Sequence, residues 1–162
     1  MLVVSNTSPI VNLAGIHHLS LLSTFFDQII IPDAVYDEIV VKGAGQPGAV
    51  EVVADPRFVR RSIGNPLAVQ ALSQRTGLDQ GEAEVIVLAQ ELGASLVLLD
   101  ERLARNVASL HGIPFRGVLG LLLDAKRGGV LTQVTPLLDQ LIQFGFFIDA
   151  KTYHDVRQLA GE

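Results

Sequence analysis

Apolar residues recur along this chain at two spacings, and the spacings sort it into strands and helices. Leu2 to Ser5 is a short apolar run that predicts a buried strand. Ser8-Pro9 suits a helix start, and Ile10, Leu13 and Ile16 follow at helical spacing. Leu19, Leu22, Phe25 and Phe26 mark a second helix, Ile29-Ile30-Ile31 a strand ended by Pro32, and Asp33 to Val41 a third helix. Lys42 to Gly48 holds three glycines and Pro47 and reads as a loop. Ala49–Ala54 predicts a short helix, Phe58–Arg61 a strand and Pro66–Thr76 a helix. Asp79 to Leu92 is helical with Gly93 as its stop, and Ser95 to Leu99 is the clearest strand of all. Helices follow over Glu101–Leu110, Val118–Lys126, Pro136–Gln143 and Ala150–Ala160, while Ile113-Pro114-Phe115 is too short to assign as a strand. Strands alternating with helices predict an α/β fold with a central parallel sheet and crossover helices. The last helices pack on the same core, which makes residues 1–162 a single domain.

Composition narrows this further. With 49% hydrophobic and 18% charged residues in 162, the chain has the apolar content for a core and is not disordered. It has no cysteine, which excludes disulfides, thiolate catalysis and cysteine-based zinc sites and fits a cytoplasmic location. Met1 to Asn6 lacks the basic start of a signal peptide, and no stretch reaches the roughly 18 apolar residues of a membrane span. The formal charge of -5 argues against bulk electrostatic binding of nucleic acid. It leaves open a site where clustered acids hold a cation that reverses their local effect.

The chemistry gathers where strands end. Gly81-Glu82-Ala83-Glu84 opens one helix, and Leu98-Leu99-Asp100-Glu101 ends the clearest strand in acids. In an open parallel sheet, ligands bind outside the carboxyl ends of the strands. Asn6 ends the first strand and Asp100 a later one, so both face one crevice if those strands are neighbours. Each also precedes a helix, where Asn and Asp serve as N-caps. Asp79 and Glu82 have the spacing of a capping box. Glu82 shares its face with Val85, Ile86 and Ala89, whereas Glu84 lies about 200° around on a more mixed face; Glu82 is therefore the better ligand. Glu101 precedes Arg105 by the four residues that suit a solvated helical ion pair. Glu38 borders the inward face of its helix, and Asp33 suits the helix dipole as a structural acid. The histidines show no metal-binding pair, and no P-loop, dinucleotide fingerprint or nucleophile elbow occurs. Arg102 and Arg105 follow Asp100 and are placed to reach phosphates; Arg60-Arg61 and Lys126-Arg127 read as solvated surface.

Four segments together resemble the PIN-domain family, small metal-dependent ribonucleases of three-layer α/β/α form. They are Ser5-Asn6-Thr7-Ser8-Pro9-Ile10, Pro32-Asp33-Ala34-Val35-Tyr36-Asp37-Glu38-Ile39, Gly81-Glu82-Ala83-Glu84 and Leu98-Leu99-Asp100-Glu101-Arg102. The first is similar to the S-D-T-S-P opening of a VapC-like toxin branch. The resemblance implies a metal site of Glu38, Glu82 and Asp100, with Asn6 standing where the family has its first aspartate. It implies Thr7 and Ser8 as supporting hydroxyls, Mg²⁺ or Mn²⁺ as cofactor and an RNA phosphodiester as substrate. It also implies a small antitoxin as partner and dimerisation.

Asn6 is a departure with physical weight. Its amide oxygen is neutral, and hard cations favour charged oxygens, so metal affinity falls while the near-isosteric shape survives. Two functions therefore remain: a metal-dependent ribonuclease, the toxin of a toxin–antitoxin module, weakened by Asn6; or a catalytically inactive PIN-like protein that binds RNA or a protein partner. A phosphoacceptor receiver domain is a more distant rival and lacks the lysine it needs at the end of a late strand.

Overall fold

A computed structural model describes all of residues 1–162. Five strands form its sheet: β1 (Val3–Ser5), β2 (Ile29–Pro32), β3 (Phe58–Arg61), β4 (Leu96–Leu98) and β5 (Phe115–Arg116). Their order is β3-β2-β1-β4-β5, and every pairing is parallel. β1 lies at the centre because it is fully buried on both faces and carries no charge. Its Val3, Val4 and Ser5 align with Leu96, Val97 and Leu98 of β4. The chain moves outward from β1 to β3 and then crosses back to β4. The sheet therefore changes direction between β1 and β4, the position where open α/β sheets bind ligands.

The helices are α1 (Thr7–Gly15), α2 (Ser20–Phe25), α3 (Asp33–Tyr36, running on through a wider π-helical turn over Asp37–Val41), α4 (Ala49–Ala54) and α5 (Pro66–Thr76). They continue with α6 (Gln80–Leu92), α7 (Arg102–Leu110), α8 (Val118–Arg127), α9 (Thr135–Phe144) and α10 (Ala150–Leu159). Right-handed crossovers put α1 to α4 on one face of the sheet and α5 to α7 on the other, giving three layers. α8 and α9 pack on α1, and α10 on α8.

One apolar cluster runs through all three layers, from Val3 and Ile10 to Leu138 and Val156. α6 crosses the back of the sheet against β1, β2 and β4 and is buried from Gly81 to Ala89. That all-round burial corrects the expectation of a mixed face at Glu84. Glu84 is as buried as Glu82, and its carboxylate accepts from the Ala34 amide at 3.2 Å and from Gln80 at 2.6 Å. A second correction concerns Phe115, which pairs through β5 with Val97. No helix is long and apolar enough to cross a membrane.

Candidate functional site

The carboxyl ends of β1 and β4 and the amino ends of α1, α6 and α8 meet at one edge of the sheet. Asn6 follows β1 directly, and its amide donates to the Leu98 carbonyl at 3.0 Å. This bond fixes Asn6 beside the end of β4. Its side chain is buried and makes no capping bond to α1. The capping role expected for Asn6 is therefore absent, and its amide faces the acids. From the position a Cβ on Gly81 would occupy, Asn6 Oδ1 lies 3.5 Å away and Glu38 Oε1 only 2.7 Å. Glu38 Oε1 thus intrudes on the space a side chain at Gly81 would need, while Asn6 Oδ1 stands at ordinary contact distance.

Each acid is held by a donor of its own. The Thr7 hydroxyl donates to Glu38 Oε2 at 2.5 Å. Glu38 sits in the π-helical turn, a local widening often found at functional sites. The Ser8 hydroxyl donates to Asp100 Oδ2 at 2.6 Å and itself accepts from Asn12 at 2.9 Å. Asp100 Oδ1 accepts from the Val118 amide at 2.8 Å, so Asp100 caps α8 and not the helix that follows it in sequence. Gly117 lets this happen: a Cβ there would lie 2.8 Å from the same oxygen. Glu82 forms the expected capping box, accepting from the Asp79 amide at 3.0 Å while its own amide donates to Asp79 at 2.8 Å. That box occupies Glu82 Oε2 and leaves Oε1 unbonded within the protein.

The electrostatics follow from this crowding. Burial pushes the Glu82 carboxyl above its ordinary range, and the charges of Asp79, Glu101 and Glu38 push it further, against the Asp79 amide. Burial likewise raises Asp100, opposed by its bonds from Ser8 and Val118 and by the charge of Arg105. The expected Glu101–Arg105 ion pair does not form; Arg105 lies instead over the Phe115 ring at 5.8 Å. Arg60 pairs with Asp33 at 2.6 Å, Lys126 with Glu162 at 2.8 Å and Arg127 with Asp124 at 3.5 Å, so these surface cations are engaged within the fold.

All four predicted site residues thus lie at one end of the sheet with Thr7 and Ser8 between them. Three carboxylates and one amide oxygen are the hard donors that Mg²⁺ or Mn²⁺ takes. Burial is the first cause of the raised proton affinities at Glu82 and Asp100, and neighbouring carboxylates add to it. In donor chemistry the residues therefore fit a divalent cation. As placed, however, no three acidic side chains stand close enough together to grip one ion. Gly81, Gly117 and the latch made by Glu84 were not foreseen as parts of the site. Gly81 alone left a signal, being a glycine in the first turn of a helix where alanine is favoured.

The chain matches the family model described as DUF3368, PIN domain, over residues 2–162. It matches no curated protein sequence. Its fold is similar to that of a PilT N-terminus domain protein from the hyperthermophilic archaeon Sulfolobus solfataricus P2. The TM-score is 0.56 at 19% identity, covering 82% of this chain and 96% of that one.

Proposed function

This chain belongs to the PIN-domain family, and on that premise we propose that it is a metal-dependent ribonuclease, the cytoplasmic toxin of a toxin–antitoxin module, with activity weakened by Asn6. This reading is supported by Glu38 and Asn6 meeting at Gly81, which precedes Glu82, and by Ser8 holding Asp100, near the switch between β1 and β4. PIN domains generally depend on a divalent metal. Glu38, Glu82, Asp100 and the Asn6 oxygen are the residues that would hold it here. When bound, the ion supplies positive charge against a phosphodiester and lowers the pKa of a water.

The chain's own groups do the rest. The Thr7 and Ser8 hydroxyls each take one carboxylate oxygen and so aim the other, Glu38 Oε1 toward Gly81 and Asn6, and Asp100 Oδ1 toward α8. The Asp79 amide takes Glu82 Oε2, which leaves Oε1 as the oxygen of Glu82 that would face the ion. A small antitoxin is the expected inhibitor and a second copy of the chain the expected partner.

The second reading, a PIN-like protein that binds RNA or a protein without cutting, is favoured by one observation: the first acid position holds a neutral amide. The experiment is an RNase assay on a pool of total cellular RNA with Mg²⁺, Mn²⁺ or EDTA, comparing the chain with Asn6→Asp and Asp100→Asn. Cleavage that needs metal, rises with Asn6→Asp and vanishes with Asp100→Asn supports the nuclease. An Asn6→Asp form that binds Mn²⁺ and cuts nothing selects the second reading.

A further inference from the structure

Glu84 is a buried acid outside the grouping of Glu38, Glu82 and Asp100, and it makes no salt bridge. α6 is apolar around it, with Ala83 before it and Val85 to Ala89 after it. A carboxylate buried in such surroundings is costly unless it is hydrogen-bonded. Its two donors are Gln80 on its own helix and the Ala34 amide on another. α3 starts after Pro32, which has no capping side chain. Glu84 therefore supplies, from α6, an acceptor for the first turn of α3.

The place of that bond matters. Ala34 and Glu38 stand about one turn apart on α3, and Gly81 and Glu84 about one turn apart on α6. Ala34 meets Glu84, and Glu38 meets Gly81, so the contacts pair in opposite order along the two helices. One turn carries the bond and the next carries the site residues. Sliding α3 by one residue along α6 would move Glu38 by about 1.5 Å relative to Glu82. Glu38 also lies in the π-helical turn, which the Lys42 amide closes on the Asp37 carbonyl at 2.8 Å. Such turns are rare, and this one persists through what fixes its ends.

Resting on the ribonuclease reading, we infer that Glu84 is a positioning residue: through the Ala34 amide it sets the register of α3 on α6 and holds Glu38 over Gly81. It does not touch the ion. What the role requires is an acceptor at the right reach. A glutamine there can accept from Ala34 while Gln80 turns its own amide to match. A methionine fills the space without accepting, and an aspartate keeps the charge but is one methylene short. The same helix carries an internal control. Glu91, two turns further along α6, accepts from the Gly64 and Asn65 amides at 2.9 Å each and so ties α6 to the start of α5 instead.

The test has one arm without metal and one with it. In EDTA, hydrogen exchange at the Lys42 amide of the full chain reports the π turn. In the Asn6→Asp background, calorimetry with Mn²⁺ reports the site. Glu84→Met is expected to speed exchange at Lys42 by about 3- to 10-fold, the worth of one hydrogen bond. It should also weaken Mn²⁺ binding by about 10- to 100-fold. Glu84→Asp carries the same expectation and gives the readout if the methionine form does not fold. Glu84→Gln and Glu91→Ala should leave both quantities near their parent values. Unchanged exchange at Lys42 in Glu84→Met and Glu84→Asp, a Glu84→Gln form as impaired as they are, or equal losses in Glu91→Ala would each overturn the proposal. If no form binds Mn²⁺, the exchange arm still decides: a π turn loosened only at Glu84 sustains the positioning role while the metal reading falls. Mn²⁺ binding that Glu84→Met leaves intact, with exchange unchanged, overturns the role of Glu84 alone.

Discussion

Replacing Asn6 by aspartate adds one charge to the most crowded point of the molecule, and the cost can be worked out from the structure. Asn6 Oδ1 and Glu38 Oε1 both crowd the same side of Gly81 and so lie no more than about 6 Å apart. At that distance two unit charges repel by about 0.7 kcal/mol with the dielectric of water and about 2.8 kcal/mol at an effective value near 20. Asn6 is only 7% exposed, which favours the upper end. In a chain of this size each kcal/mol moves the melting temperature by roughly 2–4 °C. Asn6→Asp should therefore melt roughly 2–10 °C lower in EDTA. A cation that binds only the folded form adds about 2.7 kcal/mol at a hundred times its Kd, so Mn²⁺ should recover the loss and raise the aspartate form more than the parent. Paired thermal melts in EDTA, Mg²⁺ and Mn²⁺ decide the matter. If metal shifts both forms equally, or the aspartate form is no less stable in EDTA, Asn6 lies outside any metal site and the reasoning fails.

Two further outcomes follow from the same geometry. Gly81→Ala should leave folding nearly unchanged, because the gain in helix propensity, up to about 1 kcal/mol, offsets the disturbed Thr7–Glu38 bond. Its Cβ nevertheless pushes Glu38 out of place, and Mn²⁺ affinity in the Asn6→Asp background should fall by about 10- to 100-fold, read by calorimetry. Unchanged affinity would remove Glu38 from the site. In metal-free protein, Glu82 and Asp100 bind protons at higher pH when folded than when unfolded, so stability falls as pH rises from the ordinary carboxylate range through their raised values. Glu82→Gln should flatten that slope in urea melts between those limits, and a slope that stays the same counts against the crowding. Glu162, held down to about 2 first by Lys126 and then by the Val134 and Thr135 amides, works in the opposite sense: its contribution is present above its ordinary pKa and is lost as pH falls toward 2.

Where the sequence spoke clearly, a local rule was strong. Ala49–Ala54, Phe58–Arg61 and Pro66–Thr76 were read with the bounds they have, because glycines, prolines and turn residues fence them. The capping box of Asp79 and Glu82 was legible for the same reason, since both partners lie within one turn. β5 was not, because a two-residue strand has no periodicity and exists only through its pairing with β4. Asp100 was expected to cap the helix after it. Its actual donor, the Val118 amide, is 18 residues away, a contact that only the sheet creates. Asn6 was open to capping by its position alone, and tertiary crowding at Gly81 decided otherwise. The family resemblance supplied the grouping of the acids; the residues alone supplied the strand ends where they stand.

The latch from Glu84 to the Ala34 amide bears on how the protein comes off the ribosome. α3 opens with an amide that finds its acceptor fifty positions later, and Asp100 is clamped only after Val118 has been made. β1 gains β2 early but waits for β4. A nascent chain therefore carries Glu38 and Glu82 well before anything holds them beside Asp100. Its edge of the sheet closes only when about three quarters of the polypeptide has emerged. On the ribonuclease reading proposed above, the order of synthesis would itself set the moment at which the chain first meets RNA with its site assembled.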